Sequence, residues 1–213
     1  MTVSDKRLVP RLGVLISGRG SNLQALIDAA SRGELQATVA HVISNKPDAA
    51  GLVRAREMGI ETSVVLARDY PGREAFDRAL VDVLRAKRID LVCLAGFMRL
   101  LGAEFCAAFP NRVLNIHPSL LPAFPGMDAQ RQALEHGVRV TGATVHFVTP
   151  ELDGGPIVQQ AAVEVRDEDT AASLSARILE VEHVIYPAAV QRILHESWRV
   201  DGRRVSFAAP RTS

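Results

Sequence analysis

The sequence predicts a doubly wound α/β fold with helices on both faces of a mostly parallel sheet. Three observations carry that expectation. Short β-branched runs alternate with amphipathic helical stretches through the first half of the chain. One run, Ile89 to Ala95, is apolar almost without alternation, as suits a central parallel strand covered on both sides. Strand–helix–strand units of this length also require right-handed crossovers and parallel pairing. The expected architecture is Rossmann-like, extended by further strands and a helix at the carboxyl end.

Leu12 to Ser17 is the first predicted strand, followed by Gly18 and Gly20 and a helix from Ser21 to about Ser31. Ala37 to Ser44 forms the second strand, and Ala49 to Met58 the next helix, stopped at Gly59. A short third strand covers Glu61 to Leu66. From Pro71 to Arg88 runs a helix whose Phe76, Leu80, Val83 and Leu84 repeat at i, i+4, i+7 and i+8. Ile89 to Ala95 and Arg112 to Ile116 complete the parallel set. Pro118, Pro122, Pro125 and Gly126 then crowd into one stretch, which reads as a loop. Val140 to Val148 and Ile157 to Val165 are two more strands. Thr170 to about Ile185 is a helix with Leu174, Ile178, Val181 and Ile185 on one face, to be kinked or restarted at Pro187. Val200 to Phe207 around Asp201-Gly202 reads as a closing hairpin, with frayed residues after it.

The chain's 213 residues suit one domain of about average to large size, and neither an internal repeat nor a linker divides it. Hydrophobic content of 47% with 23% charged residues excludes a disordered chain. The net charge of +1 comes without a basic stripe, which argues against nucleic acid as a partner. The longest apolar run, Leu91 to Met98, is too short to span a bilayer, and the polar start, Met1 to Lys6, does not resemble a signal peptide. A cytoplasmic protein is expected. Cys93 and Cys106 sit in apolar surroundings and read as small buried hydrophobes, and no cysteine–histidine spacing suggests a metal site.

Two loops carry candidate chemistry. In Ser17-Gly18-Arg19-Gly20-Ser21-Asn22 a strand turns into a helix, presenting backbone N–H groups at the positive end of the helix dipole. A phosphate fits there, with Gly20 allowing close approach and Ser21 and Asn22 adding donors. Equally, Ser21 could be a plain helix cap and Arg19 a solvated charge. The second loop follows the fifth strand. Asn115 and His117 are two residues apart, so in extended chain they face the same side. An amide donor and an imidazole together can bind and protonate an oxyanion. Asp153, in Leu152-Asp153-Gly154-Gly155-Pro156, could orient that imidazole or simply open a turn. His146 lies opposite in facing to Val145 and Phe147 and reads as a wall histidine.

The stretches VLISGRGSNLQALIDA, HVISNKPDAAGL, LAGFMRLL, LNIHPSLLPAFPG, GATVHFVTPELDGGPIVQQ and VEHVIYP occur in order between residues 14 and 187. Together they resemble the formyltransferases that use 10-formyltetrahydrofolate, most closely the branch that formylates glycinamide ribonucleotide in purine biosynthesis. The resemblance implies that Asn115, His117 and Asp153 form the catalytic trio. It implies that Gly20, Ser21, Asn22 and Glu182 hold the ribonucleotide. Arg73, Met98, Arg99, Leu100, Leu101 and Asn115 would contact the folate, which is a co-substrate, and no metal is required. The partners implied are these two small molecules, and both monomer and homodimer are compatible.

Three positions depart from the family pattern. Gly126 to Gln130 holds no histidine, Leu179 replaces a longer polar residue, and Pro150 stands where an acidic residue is common. The alternatives within the family are a deformylase of the same folate and the methionyl-tRNA formyltransferases. Both are expected to need an additional domain, at the amino or carboxyl end respectively. A nucleotide-binding module, the alternative from another class, would keep the glycine loop and dispense with the trio.

Overall fold

The structure is a computed structural model, and it describes residues 9–208. Five strands, β1 (Arg11–Ile16), β2 (Thr38–Ser44), β3 (Glu61–Val64), β4 (Leu91–Leu94) and β5 (Val113–His117), pair in parallel in the order β3-β2-β1-β4-β5. Beyond β5 the pattern changes. β6 (Val140–Phe147) runs antiparallel to β5, and β7 (Ile157–Glu164) antiparallel to β6. A hairpin of β8 (Trp198–Asp201) and β9 (Arg204–Phe207) closes the sheet, with β9 next to β7.

Alternation along the strands divides the apolar residues between two cores. Leu12, Val14 and Ile16 of β1, Leu91 and Cys93 of β4, and Leu114 and Ile116 of β5 face one side. There they meet helices α1 (Ser21–Ser31), α2 (Ala50–Glu57) and α6 (Ala171–His195). Leu15, Val92, Leu94 and Val113 face the other side, against α3 (Arg73–Ala86) and α4 (Ala103–Ala108). Period-two patterning thus feeds both faces of a central strand, which is why β4 reads as an unbroken apolar run.

The sequence reading missed two short helices. α4 and α5 (Ala129–Glu135) have six and seven residues, too few for a helical period to stand out. In consequence Cys106, expected in the interior, is only partly buried on α4. Cys93 is buried, and its burial pushes the thiol up to about 12, so it stays neutral. Pro187 does not restart its helix. α6 runs through it to His195, because Ile185, Tyr186, Ala189, Val190 and Ile193 are buried on both sides of the proline. The packing outweighs one missing N–H. The helix begins on a capping box between Thr170 and Ser173. The closing hairpin is present as expected, and the residues expected to fray lie partly outside the described ones.

Tyr186 ties α6 to the sheet centre. Fully buried, it donates its hydroxyl to the carbonyls of Leu94 (3.0 Å) and Leu114 (3.1 Å). Tyr186→Phe is expected to lower unfolding stability by about 1–2 kcal/mol, the usual cost of leaving a buried polar group without its partner. Urea denaturation of the two proteins checks this. An unchanged midpoint would mean the ladder alone satisfies both carbonyls.

Candidate active site

Loops 17–20, 45–49, 95–102 and 118–128 gather at the carboxyl ends of the parallel strands, and the expected site residues sit on or beside them. At the first loop, Gly20 takes φ +74° and serves as the N-cap of α1, with no side chain capping the helix. Ser21 is therefore the first helical residue and not a cap. A Cβ on Gly20 would lie 2.7 Å from the Gly51 backbone, and one on Gly51 would lie 2.5 Å from Ile16 Cδ1. The two glycines let the loop lie directly on α2, where Gly51 N–H donates to the Gly18 carbonyl at 3.0 Å. Arg19 is exposed, and its carbonyl accepts from Arg54 Nε.

Asn115 and His117 lie within β5 itself, on the face opposite Leu114 and Ile116. Their antiparallel neighbours are His146 and Thr144. His117 Nε2 lies 2.9 Å from the Phe124 carbonyl. A carbonyl only accepts, so Nε2 carries the hydrogen and Nδ1 is left for exchange. Nδ1 faces Asp153 Oδ2 at 3.5 Å, and both side chains are nearly buried. Asp153 Oδ2 also accepts from the Gly126 N–H at 2.8 Å, and its φ of +49° bends the loop that delivers it. The proline loop is held beneath this contact. Thr144 Oγ1 donates to the Ser119 carbonyl (2.6 Å) and accepts from Leu121 N–H (3.0 Å), while Ser119 Oγ donates to Ala123.

His146 belongs to the same cluster. Its Nδ1 faces the Phe147 carbonyl at 2.9 Å and Nε2 faces Asn115 Nδ2 at 3.1 Å. The first contact makes Nδ1 the donor, so Nε2 accepts from the amide and fixes which way Asn115 turns. Burial, the largest influence, holds His146 below the usual histidine range and keeps it neutral. Its Nε2 is 3.7 Å from Asp153 Oδ1. A strand register placing residue 146 beside 115 is the signal that would have marked it as more than a wall.

The segment expected to line a folate pocket follows β4. Met98 and Leu100 are exposed, Arg99 lies over the Phe76 ring at 5.2 Å, and Leu101 turns into the core of the α3 face. Leu101 can thus offer a ligand little beyond its backbone. Arg73, exposed at the start of α3, lies close to Gly102, where a Cβ would be 3.4 Å from its Nε. Between them is Asp77, a buried carboxylate absent from the sequence reading, whose Oδ2 accepts from Gly102 N–H at 2.7 Å. Burial raises its pKa, against the pull of that N–H and of Arg73 and Arg99.

Glu182 is not a surface charge. It is 6% exposed and accepts from Asn22 Nδ2 at 2.7 Å, which joins α6 to the first turn of α1. Burial pushes its pKa up, partly offset by the Asn22 bond, while Asn22 Oδ1 has no partner among the described residues. No group of three or more metal-ligating side chains is assembled among the described residues.

The chain belongs to the formyl transferase family, whose model matches residues 10–190. More particularly, it is 50% identical over 190 residues to phosphoribosylglycinamide formyltransferase of Escherichia coli (strain K12). That likeness spans 89% of this chain and 87% of the relative. The crystal structure of glycinamide ribonucleotide transformylase 1 from Symbiobacterium toebii superposes with a TM-score of 0.93 at 54% identity, covering 94% of this chain and 95% of that one. Human trifunctional purine biosynthetic protein adenosine-3 is 51% identical over 183 residues, which are 86% of this chain but 18% of that protein.

The burial of Glu182 gives a test with a definite sign. A carboxyl whose folded pKa is raised stabilises the fold below its ordinary value near 4.5, and that contribution is lost as pH rises through the folded value. Glu182→Gln removes the buried charge and supplies an N–H for Asn22 Oδ1. Its Tm at pH 7 is expected to exceed that of the unaltered protein, the difference narrowing toward pH 4. A lower Tm at pH 7 would show that the charged Asn22 bond outweighs desolvation.

Proposed function

We propose that the protein transfers the formyl group of 10-formyltetrahydrofolate to the amine of glycinamide ribonucleotide, a step of purine biosynthesis. The observation that carries this is the convergence of Asn115, His117 and Asp153, with Nδ1 of His117 turned to the carboxylate. Membership of the formyl transferase family supports a folate-derived formyl donor, and the names of the relatives support the acceptor.

The chemistry follows from which atoms are free. As the acceptor amine attacks the formyl carbon, a C–N bond forms and negative charge collects on the former carbonyl oxygen. Asn115, held by His146 at one amide hydrogen, has its second to donate to that oxygen. His117 keeps Nε2–H on Phe124, so protonated Nδ1 is its donor to the intermediate. The 3.5 Å gap between Nδ1 and Asp153 leaves the carboxylate able to stabilise imidazolium without taking its proton. Asp153, through one water, accepts the proton released by the amine and returns it to the folate nitrogen as the C–N bond to the folate breaks. Gly20, Ser21, Asn22 and Glu182 hold the ribonucleotide, and Arg73 with Met98 to Leu101 flank the folate, so both reacting atoms are anchored before reaction.

On this reading residues 1–213 work as one formyltransferase domain. The phosphate-binding half, about 1–110, overlaps the catalytic and folate-binding part, about 89–187. A cytoplasmic location and two small-molecule partners go with it.

Incubation with 10-formyltetrahydrofolate, followed by the folate spectrum, tests the reading. Formyl transfer that requires the ribonucleotide supports it, whereas hydrolysis of the folate without the amine would identify a deformylase. His117→Ala should keep the fold and lower kcat by about 10²- to 10⁴-fold. Near-normal turnover in that folded variant removes His117 from the mechanism. Glu182→Ala should instead raise KM for the ribonucleotide and leave kcat and the folate KM nearly unchanged, as loss of uniform binding does. A fall in kcat at saturating substrate would place Glu182 with the chemistry.

A further inference from the structure

We propose that Ser17 is a positioning residue that couples the two substrate subsites, so that ribonucleotide and folate each bind more tightly when the other is present. The inference rests on the assignment of those subsites given above.

Ser17 is 4% exposed and follows directly on β1, at the root of the glycine loop. Its N–H donates to the Gly96 carbonyl at 3.0 Å. Its Oγ accepts from the Met98 N–H at 2.8 Å and donates to Asn45 Oδ1 at 2.6 Å. One small residue thus links the loops that follow β1, β2 and β4. Phe97 and Leu101 anchor the 98–100 stretch in the core at its two ends, and Ser17 adds a tie within it. Met98 is 64% exposed and Leu100 56% exposed, so neither side chain anchors it in the core. Two other contacts hold it from the α3 side, Arg99 over Phe76 and Gly102 N–H on Asp77. Ser17 differs from both in reaching the opposite subsite, because Gly18 to Ser21 continue from its own carbonyl. That loop is fixed in turn to α2 through the Gly51 N–H on Gly18.

The physical consequence is a shared ordering cost. A phosphate that settles the glycine loop also settles the Ser17 hydroxyl, and with it the Met98 peptide. A folate lying on the 98–101 segment then orders less backbone for itself. Linkage makes the effect reciprocal, with the same factor in both directions. Ser17→Ala breaks the link at one point. It leaves the part-buried Met98 N–H without that acceptor and Asn45 Oδ1 without its donor.

The test uses calorimetric titration of the full chain with 5-formyltetrahydrofolate, whose formyl group is on the wrong nitrogen for transfer, with and without saturating glycinamide ribonucleotide. In the unaltered protein the ribonucleotide should lower the folate Kd about 5-fold or more, and folate should lower the ribonucleotide Kd by the same factor. In Ser17→Ala that ratio should fall to near one, with a raised folate KM in the transfer assay. Ser17→Thr, which keeps the hydroxyl, should restore the ratio. Asn45→Ala, which leaves Ser17 Oγ to Met98 but frees its rotation, should lose part of it and serves if Ser17→Ala does not fold. Independent binding in the unaltered protein overturns the proposal, as does a full ratio retained in Ser17→Ala or, should that variant not fold, in Asn45→Ala. If formyl transfer itself fails in the unaltered protein, the functional reading falls instead, and the two failures are told apart by that first assay.

Discussion

The register in which β6 runs back along β5 is the constraint on which the rest of the site depends. It sets Asn115 beside His146 and His117 beside Thr144, while Ile116 meets Val145 on the other face. A slip of one residue would exchange these faces, sending the polar set into the helix-covered core. The same ladder fixes the proline loop, since Thr144 holds the backbone at Ser119 and Leu121. That loop supplies the Phe124 carbonyl that decides which nitrogen of His117 is free. The tautomer of one imidazole is therefore inherited from a strand pairing. The parallel strands alone could not arrange this, because a parallel neighbour must cross over and enter from the amino end, whereas β6 returns antiparallel from the carboxyl end of β5.

Polar burial around that ladder works against stability, and the structure accepts it at a few chosen places. Asp77 is 1% exposed with one oxygen unmatched, and Glu182 faces Asn22 with no cation beside it among the described ion pairs. An unpaired buried carboxylate is costly. Each holds a loop or helix end in place: Asp77 lies under the segment after β4, Glu182 against the start of α1. His146 and His41 are buried as well, and burial lowers both below the ordinary histidine range. Their neutral forms suit interior positions, so acid, and not base, is the direction in which these rings oppose folding.

Much of this was legible in the sequence because it rests on local rules. The strands before Arg112 and their crossovers followed from periodicity, and the equal facing of Asn115 and His117 from extended geometry. Likeness to a family pointed to Glu182 and Asn22 as residues of one subsite, but their direct hydrogen bond, across 160 positions, was not legible. Other features were not legible because they arise from long-range pairing. His146 acquires a role from its partner across the ladder, and Asp77 from Gly102, 25 residues away on another element. The persistence of α6 through Pro187 reflects tertiary packing overriding a local preference. The two short helices carried too few turns to announce themselves. Gly20 displaced Ser21 from the capping position because its backbone must lie against Gly51, a contact no local pattern encodes.

The closing hairpin sets what the outer rim of the sheet offers to another strand. β7 is eight residues long, and its amino end bonds to the hairpin through Ile157 N–H on the Arg203 carbonyl. Trp198 packs on Phe147 and donates to Ile193, while Arg192 lies over Phe207, so side chains hold the hairpin where backbone pairing is sparse. The outermost strands on the two sides, β3 and β8, are four residues each, and β8 alternates exposed Arg199 and Asp201 with half-buried neighbours. A short, charged rim is a poor template for strand addition. The hairpin thereby covers the amino end of β7, at Ile157, with a rim unsuited to strand addition, and a few aromatic contacts hold that cover in place.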